Sequence, residues 1–217
     1  MNYTEGKMPS LERVGGAYSI VEKLSVEKHA QDLYDVFGPH SQAQDWTYLA
    51  LEPFDDYDKF LETLTQMERS TDPYYLTIID KKTNRAIGSF AYMRIDFENR
   101  AMEIGWVVYS DLLKRSRVAT EAQYLAMKYV FEELHYRRYE WKCDHLNRPS
   151  HNAALRLGFT YEGMFRNAAV YKGRTRDTDW FSIIDSEWPK RKKRLELWLS
   201  PQNFDATGKQ IISLNSL

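Results

Sequence analysis

The chain predicts a mixed α/β domain of the α+β class. It should hold one twisted, mostly antiparallel sheet of about seven strands, with one parallel pair near its centre and helices on its faces. Three observations lead there. Residues 101–110 (AMEIGWVVYS) have the β-branched and aromatic content of a buried strand. Residues 118–134 repeat apolar side chains at helical steps, and residues 139–144 read again as strand. That strand–helix–strand order is a crossover, which favours a parallel pair. Finally, residues 74–80, 86–95 and 101–110 are joined by the short polar turns 81–85 and 96–100, an antiparallel meander.

In chain order, residues 1–16 are polar, end in Gly15-Gly16 and read as a loosely held lead-in. Residues 17–25 alternate as a first strand. In 26–37, Leu33, Val36 and Phe37 share a helical face that Gly38-Pro39 stops. Residues 42–54 carry Trp46, Tyr48, Leu49 and Leu51 before Pro53, aromatics that suit packing against the sheet. A second helix, 55–69, has Phe60, Leu64 and Met67 apolar and ends before Asp72-Pro73. Alternation along 101–110 puts Met102, Ile104, Trp106 and Val108 on one face, with Glu103, Gly105, Val107 and Tyr109 on the other.

In the helix 118–134, Val118, Ala122, Leu125 and Tyr129 form the apolar stripe, widened by Ala126, Val130 and Leu134. Ser116 suits its N-cap, and Glu121 in the first turn suits the helix dipole. Pro149 opens a short helix with Ala153, Ala154 and Leu157 apolar, and Gly158 stops it. Residues 160–172 and 175–185 form a hairpin around Gly173. A terminal helix, 189–199, sets Leu195, Trp198 and Leu199 against Lys190, Arg191, Lys192, Lys193 and Arg194, and the residues beyond it look peripheral. The resulting division is a lead-in (1–16), one domain (17–188) and a C-terminal helix with tail (189–217).

Composition narrows the function. A chain of 217 residues, 43% hydrophobic, can bury a sizeable core in one domain. A formal net charge of −1 gives no overall attraction to nucleic acid or an acidic membrane. The basic run 190–194 fits a solvated helix face better than an RNA contact, so neither nucleic acid nor membrane is an expected partner. The single cysteine, Cys143, excludes an intrachain disulfide and a cysteine-based zinc site, and suits a small buried hydrophobe. His145 and His151 lack an evident carboxylate partner, and no metal is expected. Without a spanning apolar run or a signal peptide's apolar core, the chain reads as cytoplasmic.

Between strand and long helix, Lys114, Arg115 and Arg117 sit at the helix mouth, where the first N–H groups lack partners. Three cations there repel one another unless an anion such as a phosphate or pyrophosphate arrives. The other reading is a solvated, Arg-rich turn. Glu103, a carboxylate on an otherwise apolar strand, should have its pKa raised by desolvation, which suits a catalytic base. Its alternative is a structural carboxylate, paired with an arginine such as Arg94 or Arg100 or hydrogen-bonded to backbone. Asp177 and Asp179 read as a solvated acidic pair near a turn.

These pieces resemble a known family. The strand with Glu103-Ile-Gly-Trp106, the basic loop, Ala119-Thr120-Glu121-Ala122 and Phe131-Glu-Glu-Leu134 are similar to the coenzyme A motif of the GNAT superfamily of N-acetyltransferases. Asn147-Arg-Pro-Ser150, then Leu157-Gly158-Phe159 and Glu162-Gly163, resemble the second signature of its RimJ/RimL-like branch, named for ribosomal-protein N-terminal acetyltransferases. The two come in the family's order and spacing. One departure stands in the phosphate loop, usually Gln/Arg-x-x-Gly-x-Gly/Ala: here Lys114-x-x-Arg117-x-Ala119 has no central glycine.

The resemblance implies a GNAT fold whose central parallel strands splay apart. It implies acetyl-CoA as co-substrate and direct transfer, in a ternary complex, to a small-molecule amine or a protein N-terminus. Main-chain groups of Trp106, Val107 and Val108 would meet the pantetheine arm, with Asn147 clamping its amides. Lys114, Arg115, Ser116, Arg117, Val118, Ala119 and Thr120 would hold the pyrophosphate. Ser150 would give the departing thiolate its proton, a role compatible with capping a helix. Trp46, Tyr48 and Tyr92 would line the acceptor pocket. Some relatives carry a catalytic acid in the segment that here reads Ala168-Ala169, so that mechanism does not transfer. The chain is expected to be a monomer or homodimer, and the alternative function is a coenzyme-A-binding sensor that has lost turnover.

Overall fold

The computed structural model describes residues 3–217. One eight-stranded sheet contains β1 (Arg13–Gly15), β2 (Ser19–Lys23), β3 (Tyr74–Asp80), β4 (Arg85–Asp96), β5 (Ala101–Tyr109), β6 (Arg138–Asp144), β7 (Thr160–Tyr171) and β8 (Arg174–Ile184). Their spatial order is β1-β2-β3-β4-β5-β6-β8-β7, and β5–β6 is its parallel pair. The helices are α1 (Val26–Phe37), α2 (Tyr57–Arg69), α3 (Arg117–Lys128), α4 (Arg148–Leu157) and α5 (Trp188–Leu199). Strand β3 shows how the two faces are filled: Tyr74, Leu76 and Ile78 join the core under α3, α4 and α5, while Tyr75 joins the core under α1 and α2. No helix among the described residues is long and apolar enough to cross a membrane.

The mixed sheet with its parallel pair is as the sequence predicts, but it has an additional strand. β1 lies inside the expected lead-in, where three residues are too few for alternation to register. It is held by pairing with β2 and by an ion pair from Arg13 to the buried Glu22. The rest of the lead-in also docks: Leu11 is buried, and the Ser10 N–H donates to Tyr129 Oη at 2.9 Å. At the other end Leu214 is fully buried and its carbonyl accepts from Arg194, so the tail packs against α5.

The alternation expected for β5 breaks at a bulge. Ser89 pairs with Val108 and Ala91 with Gly105, leaving Trp106 and Val107 opposite Phe90 alone, and Trp106 takes a φ of 50°. An inserted residue flips every side chain after it. Met102 and Ile104 therefore face the α3 core as expected, but Val107 and Tyr109 continue that face. Trp106 and Val108 turn instead to the α1–α2 side.

Helix α3 starts where the cap predicts, with Ser116 Oγ accepting the Ala119 N–H at 3.0 Å, and ends in a π-helical turn, Tyr129–Glu133. Glu121 does more than face the dipole. It is buried, and its carboxylate accepts the N–H groups of Ala17, Tyr18 and Ser19 and the Ser19 hydroxyl at 2.6–2.9 Å. The turn between β1 and β2 is thereby fastened to α3.

Candidate functional site

The parallel pairing of β5 and β6 runs from Ala101↔Arg138 to Ile104↔Trp141 and stops. Beyond it β5 stays with β4 as far as Tyr109, and β6 stays with β8 as far as Asp144. The two strands diverge, leaving a wedge in which the side of β5 carrying Trp106, Val107 and Val108 has no strand partner. Unpaired backbone N–H and C=O groups of this kind are a template for an extended ligand.

At the wedge mouth, the loop into α3 is anchored by the buried Leu113, which packs where Gly88 leaves room: a Cβ there would sit 2.5 Å from Leu113 Cδ2. Among the described residues, the amides of Arg115, Arg117 and Val118 have no acceptor. The cations behave unlike three free charges. Lys114 is neutralised, its ammonium 2.5 Å from Asp45 and 2.7 Å from Asp111. Arg117 lies over the Tyr18 ring at 4.3 Å. Thr120 Oγ1 accepts from Arg156 Nη1 at 3.1 Å, so its hydroxyl is already committed. The Asp45 partner lies 69 positions away and left no mark in the local sequence.

Glu103 stands at the wedge apex, one residue before the last β5–β6 pair. Arg94, as the structural alternative anticipated, and Lys142, which it did not include, each approach its Oε2 to 3.0 Å. Lys142 also reaches Glu140 at 2.8 Å, and Arg138 links Glu140 to Glu162. The result is an alternating row of charges across β4, β5, β6 and β7. Burial pushes the Glu103 carboxyl above its ordinary value, further than Lys142 and Arg94 pull it back. The signal for this row was present in sequence: Arg138, Glu140 and Lys142 alternate along a strand whose other face is Tyr139, Trp141 and Cys143.

Across the wedge, Asn147 rather than Ser150 is the N-cap of α4, its Oδ1 accepting the Ser150 N–H at 3.2 Å. Ser150 sits inside the helix, and its Oγ accepts from Trp141 Nε1 at 3.0 Å, with its hydroxyl proton turned toward the Cys143 sulfur. Burial pushes the neighbouring Cys143 thiol up to about 11, against the pull of its contact with Ser150. Asp179 is not solvated but fully buried, with His145 Nδ1 at 3.0 Å and His151 Nδ1 at 2.8 Å. Burial alone would raise its pKa; the two imidazoles outweigh that and hold the carboxyl below its usual range. The carboxylate partner missing from the sequence reading thus comes from β8 and fastens both ends of the Asn147–Ser150 turn. Among the described residues no group of three or more His, Cys, Asp or Glu is arranged to hold a metal ion.

The segment 41–54 straps the wedge mouth. Asp45 holds the α3 loop on one side; on the other, Tyr48 Oη donates to the Leu146 carbonyl at 3.1 Å and Lys172 Nζ to the Trp46 carbonyl at 2.7 Å. Beside Tyr48, a cavity of about 170 Å³ is lined by Asp144, His145, Leu146, Asn167, Thr175 and Asp177. Of the three residues expected to line an acceptor pocket, none is in this lining, and only Tyr48 bonds to a residue of it, Leu146. Trp46 is buried against Phe37, and Tyr92 is buried under α3 with its hydroxyl on the Ala126 carbonyl at 3.0 Å. Both large rings are taken up by core packing.

The fold finds counterparts in known proteins. Residues 20–160 match the model of the acetyltransferase (GNAT) domain. The uncharacterized N-acetyltransferase p20 of Bacillus licheniformis is 28% identical over 171 residues, 77% of this chain and 96% of p20. A crystal structure of a GCN5-related N-acetyltransferase from Brucella melitensis shares 42% identity and a TM-score of 0.96, covering 99% of this chain and 97% of that one. Spermidine N-acetyltransferase from Vibrio cholerae, crystallised with CoA and spermine, shares the fold with a TM-score of 0.65 at 16% identity, covering 80% of this chain and 99% of that one. With its domain matched over most of its length and its parallel strands parted at the expected place, the chain belongs to the GNAT superfamily and is an acyltransferase enzyme.

Proposed function

We propose that the protein transfers the acetyl group of acetyl-CoA directly to a primary amine, on a small molecule or a protein N-terminus, in the manner of the RimJ/RimL-like branch, and that it works in the cytoplasm. One observation carries the reading: the unpaired edge of β5 leads from the open amides at the mouth of α3 to the Ser150 hydroxyl. The residues suit the co-substrate. Free amides with Arg115 and Arg117 fit a diphosphate, and the Trp106–Val108 edge fits the amides of a pantetheine arm. The buried Oε1 of Gln123, close to that edge through its bond to Tyr109, has no partner among the described residues.

Acetyl-CoA supplies an activated acyl group, so no covalent enzyme intermediate is required. Ser150 holds the proton for the departing sulfur, oriented by Trp141 and by the Asn147 cap. Glu103, with its raised pKa, takes the proton of the attacking amine, directly or through water. Ser150→Ala is expected to lower kcat by about 10²-fold or more while leaving coenzyme A affinity nearly unchanged. Thiol release measured with a panel of amines tests the reading; binding of acetyl-CoA with no thiol released for any amine would favour a sensor instead.

Asp45 competes with the diphosphate for Lys114. Asp45→Asn should therefore tighten acetyl-CoA binding by about 3–10-fold at low salt, less at high salt. Calorimetry reads this directly, and weaker binding in the variant would refute it.

A further inference from the structure

We propose that Lys172 fastens the tip of the β7–β8 hairpin to the segment 41–54 and so closes the acceptor entrance into a portal, one that admits a compact primary amine and excludes a polypeptide N-terminus. The inference rests on the acetyl-transfer reading above and narrows its acceptor.

Tyr171 pairs with Arg174, so the hairpin turns in two residues, Lys172 and Gly173, and both have positive φ, 47° and 71°. Positive φ at both positions is the type I′ turn that matches the twist of a hairpin, and Asn-Gly is the pair that suits it best. A lysine in the first position is uncommon. Its side chain supplies the reason: Nζ donates to the Trp46 carbonyl at 2.7 Å and meets Glu52 at 2.7 Å, both on 41–54. That segment is not free to swing away, because Trp46 is buried against Phe37 and its Nε1 donates to Ser41 Oγ at 2.9 Å.

Two more joints complete a ring. The Tyr48 hydroxyl ties 41–54 to the Leu146 carbonyl, just past the end of β6. The end of β6 is tied in turn to the hairpin: the Asp144 carboxylate accepts from Tyr171 Oη at 2.7 Å and pairs with Arg174 at 3.2 Å. Arg174 also lies 5.3 Å from the Tyr48 ring. Each of the three segments is therefore bonded to the other two. The co-substrate enters the wedge along the β5 edge from α3, which leaves the ringed side for the amine. There the cavity of about 170 Å³ has room for about six waters at about 30 Å³ each, well under the roughly 300–1,000 Å³ of a site for a drug-sized ligand. An extended chain needs a groove open over several residues, and the ring interrupts one. Of the lining groups, Asp177 accepts the Asn167 N–H at 2.7 Å and meets no cation within ion-pair distance among the described residues, so an ammonium suits it. A wider depression of about 660 Å³ beside it is lined by hairpin residues alone, Phe165, Arg166, Asn167 and Asp177, none of them assigned to the transfer.

Thiol release by the full chain tests this with two sets of acceptors. One is a panel of compact amines that includes glycinamide, phenethylamine and cadaverine; the other is hexapeptide amides with free N-termini beginning in Ser, Ala or Met. The best compact amine is expected to exceed every peptide in kcat/KM by about 100-fold or more. Lys172→Asn keeps the turn and removes the tie, and should lower that ratio about 10-fold by raising the peptide values. Lys172→Arg, which keeps a cation against Glu52, should hold the ratio near that of the wild type. A peptide turned over by the wild type as well as the best compact amine overturns the proposal and leaves acetyl transfer standing. A ratio unmoved by Lys172→Asn, or lowered only because compact amines react more slowly, overturns it too. Thiol release with no amine at all would take down the acetyl-transfer reading and the proposal together.

Discussion

Glu121→Ala is expected to lower the unfolding free energy by about 3–5 kcal/mol. Its carboxylate is buried, and no lysine or arginine pairs with it among the described residues. Three backbone N–H groups and a hydroxyl take the place of a cation, at 2.7, 2.7, 2.6 and 2.9 Å. Removing the acceptor leaves those donors in a space water enters poorly, each costing about 1–3 kcal/mol unless the turn shifts. Glu121→Gln should cost less, because Oε1 serves Ala17 alone while Oε2 serves Tyr18 and both Ser19 donors. Gly16 belongs to the same device: a Cβ there would lie 2.3 Å from the Glu121 carboxyl carbon, so Gly16→Ala must displace one or the other. Urea midpoints for the three variants test the ordering Ala below Gln below wild type; a wild-type midpoint for Glu121→Ala would show that the turn is held by β1–β2 pairing alone.

The same residue illustrates what a sequence can reveal. Helix α1 and strand β3 have the residue limits read from periodicity, because the apolar spacing and the flanking breakers act within a few neighbours. The Ser116 cap was legible for the same reason. Glu121, Asp45 and Asp179 were not, since their partners lie 102–104, 69 and 28–34 positions away. Local reading gave Glu121 a place at the helix dipole and Asp179 a solvated turn and passed over Asp45, whereas tertiary contact gave each a specific role. The β5 bulge falls between these cases. A positive φ at Trp106 is invisible to alternation, yet it decides which of Trp106 and Val107 faces α3.

Lys142 offers the sharpest test of Glu103. Its ammonium is buried, 3.0 Å from Glu103, 2.8 Å from Glu140 and 3.8 Å above the Trp180 ring. Lys142→Met keeps the volume and removes the charge, so the buried Glu103 and the half-buried Glu140 lose a shared cation; breaking such a buried pair costs about 3–5 kcal/mol near neutral pH. The deficit should depend on pH with a definite sign. Burial already raises the folded pKa of Glu103 above 4.5, and Lys142 is the first of the groups that restrain it. Without that restraint the folded value rises further, so protonation favours the folded state: the deficit is smallest below the unfolded pKa and grows as pH climbs through the folded one. If Glu103 is the base, the acid limb of kcat/KM for an amine acceptor must move to higher pH by the same shift, because the catalytic form is the ionised one. Stability falling with an unmoved acid limb would make Glu103 a structural carboxylate and send the search for the base to the other groups around the wedge, His145 first, whose Nδ1 is held by Asp179 and whose ring borders the cavity beside Tyr48.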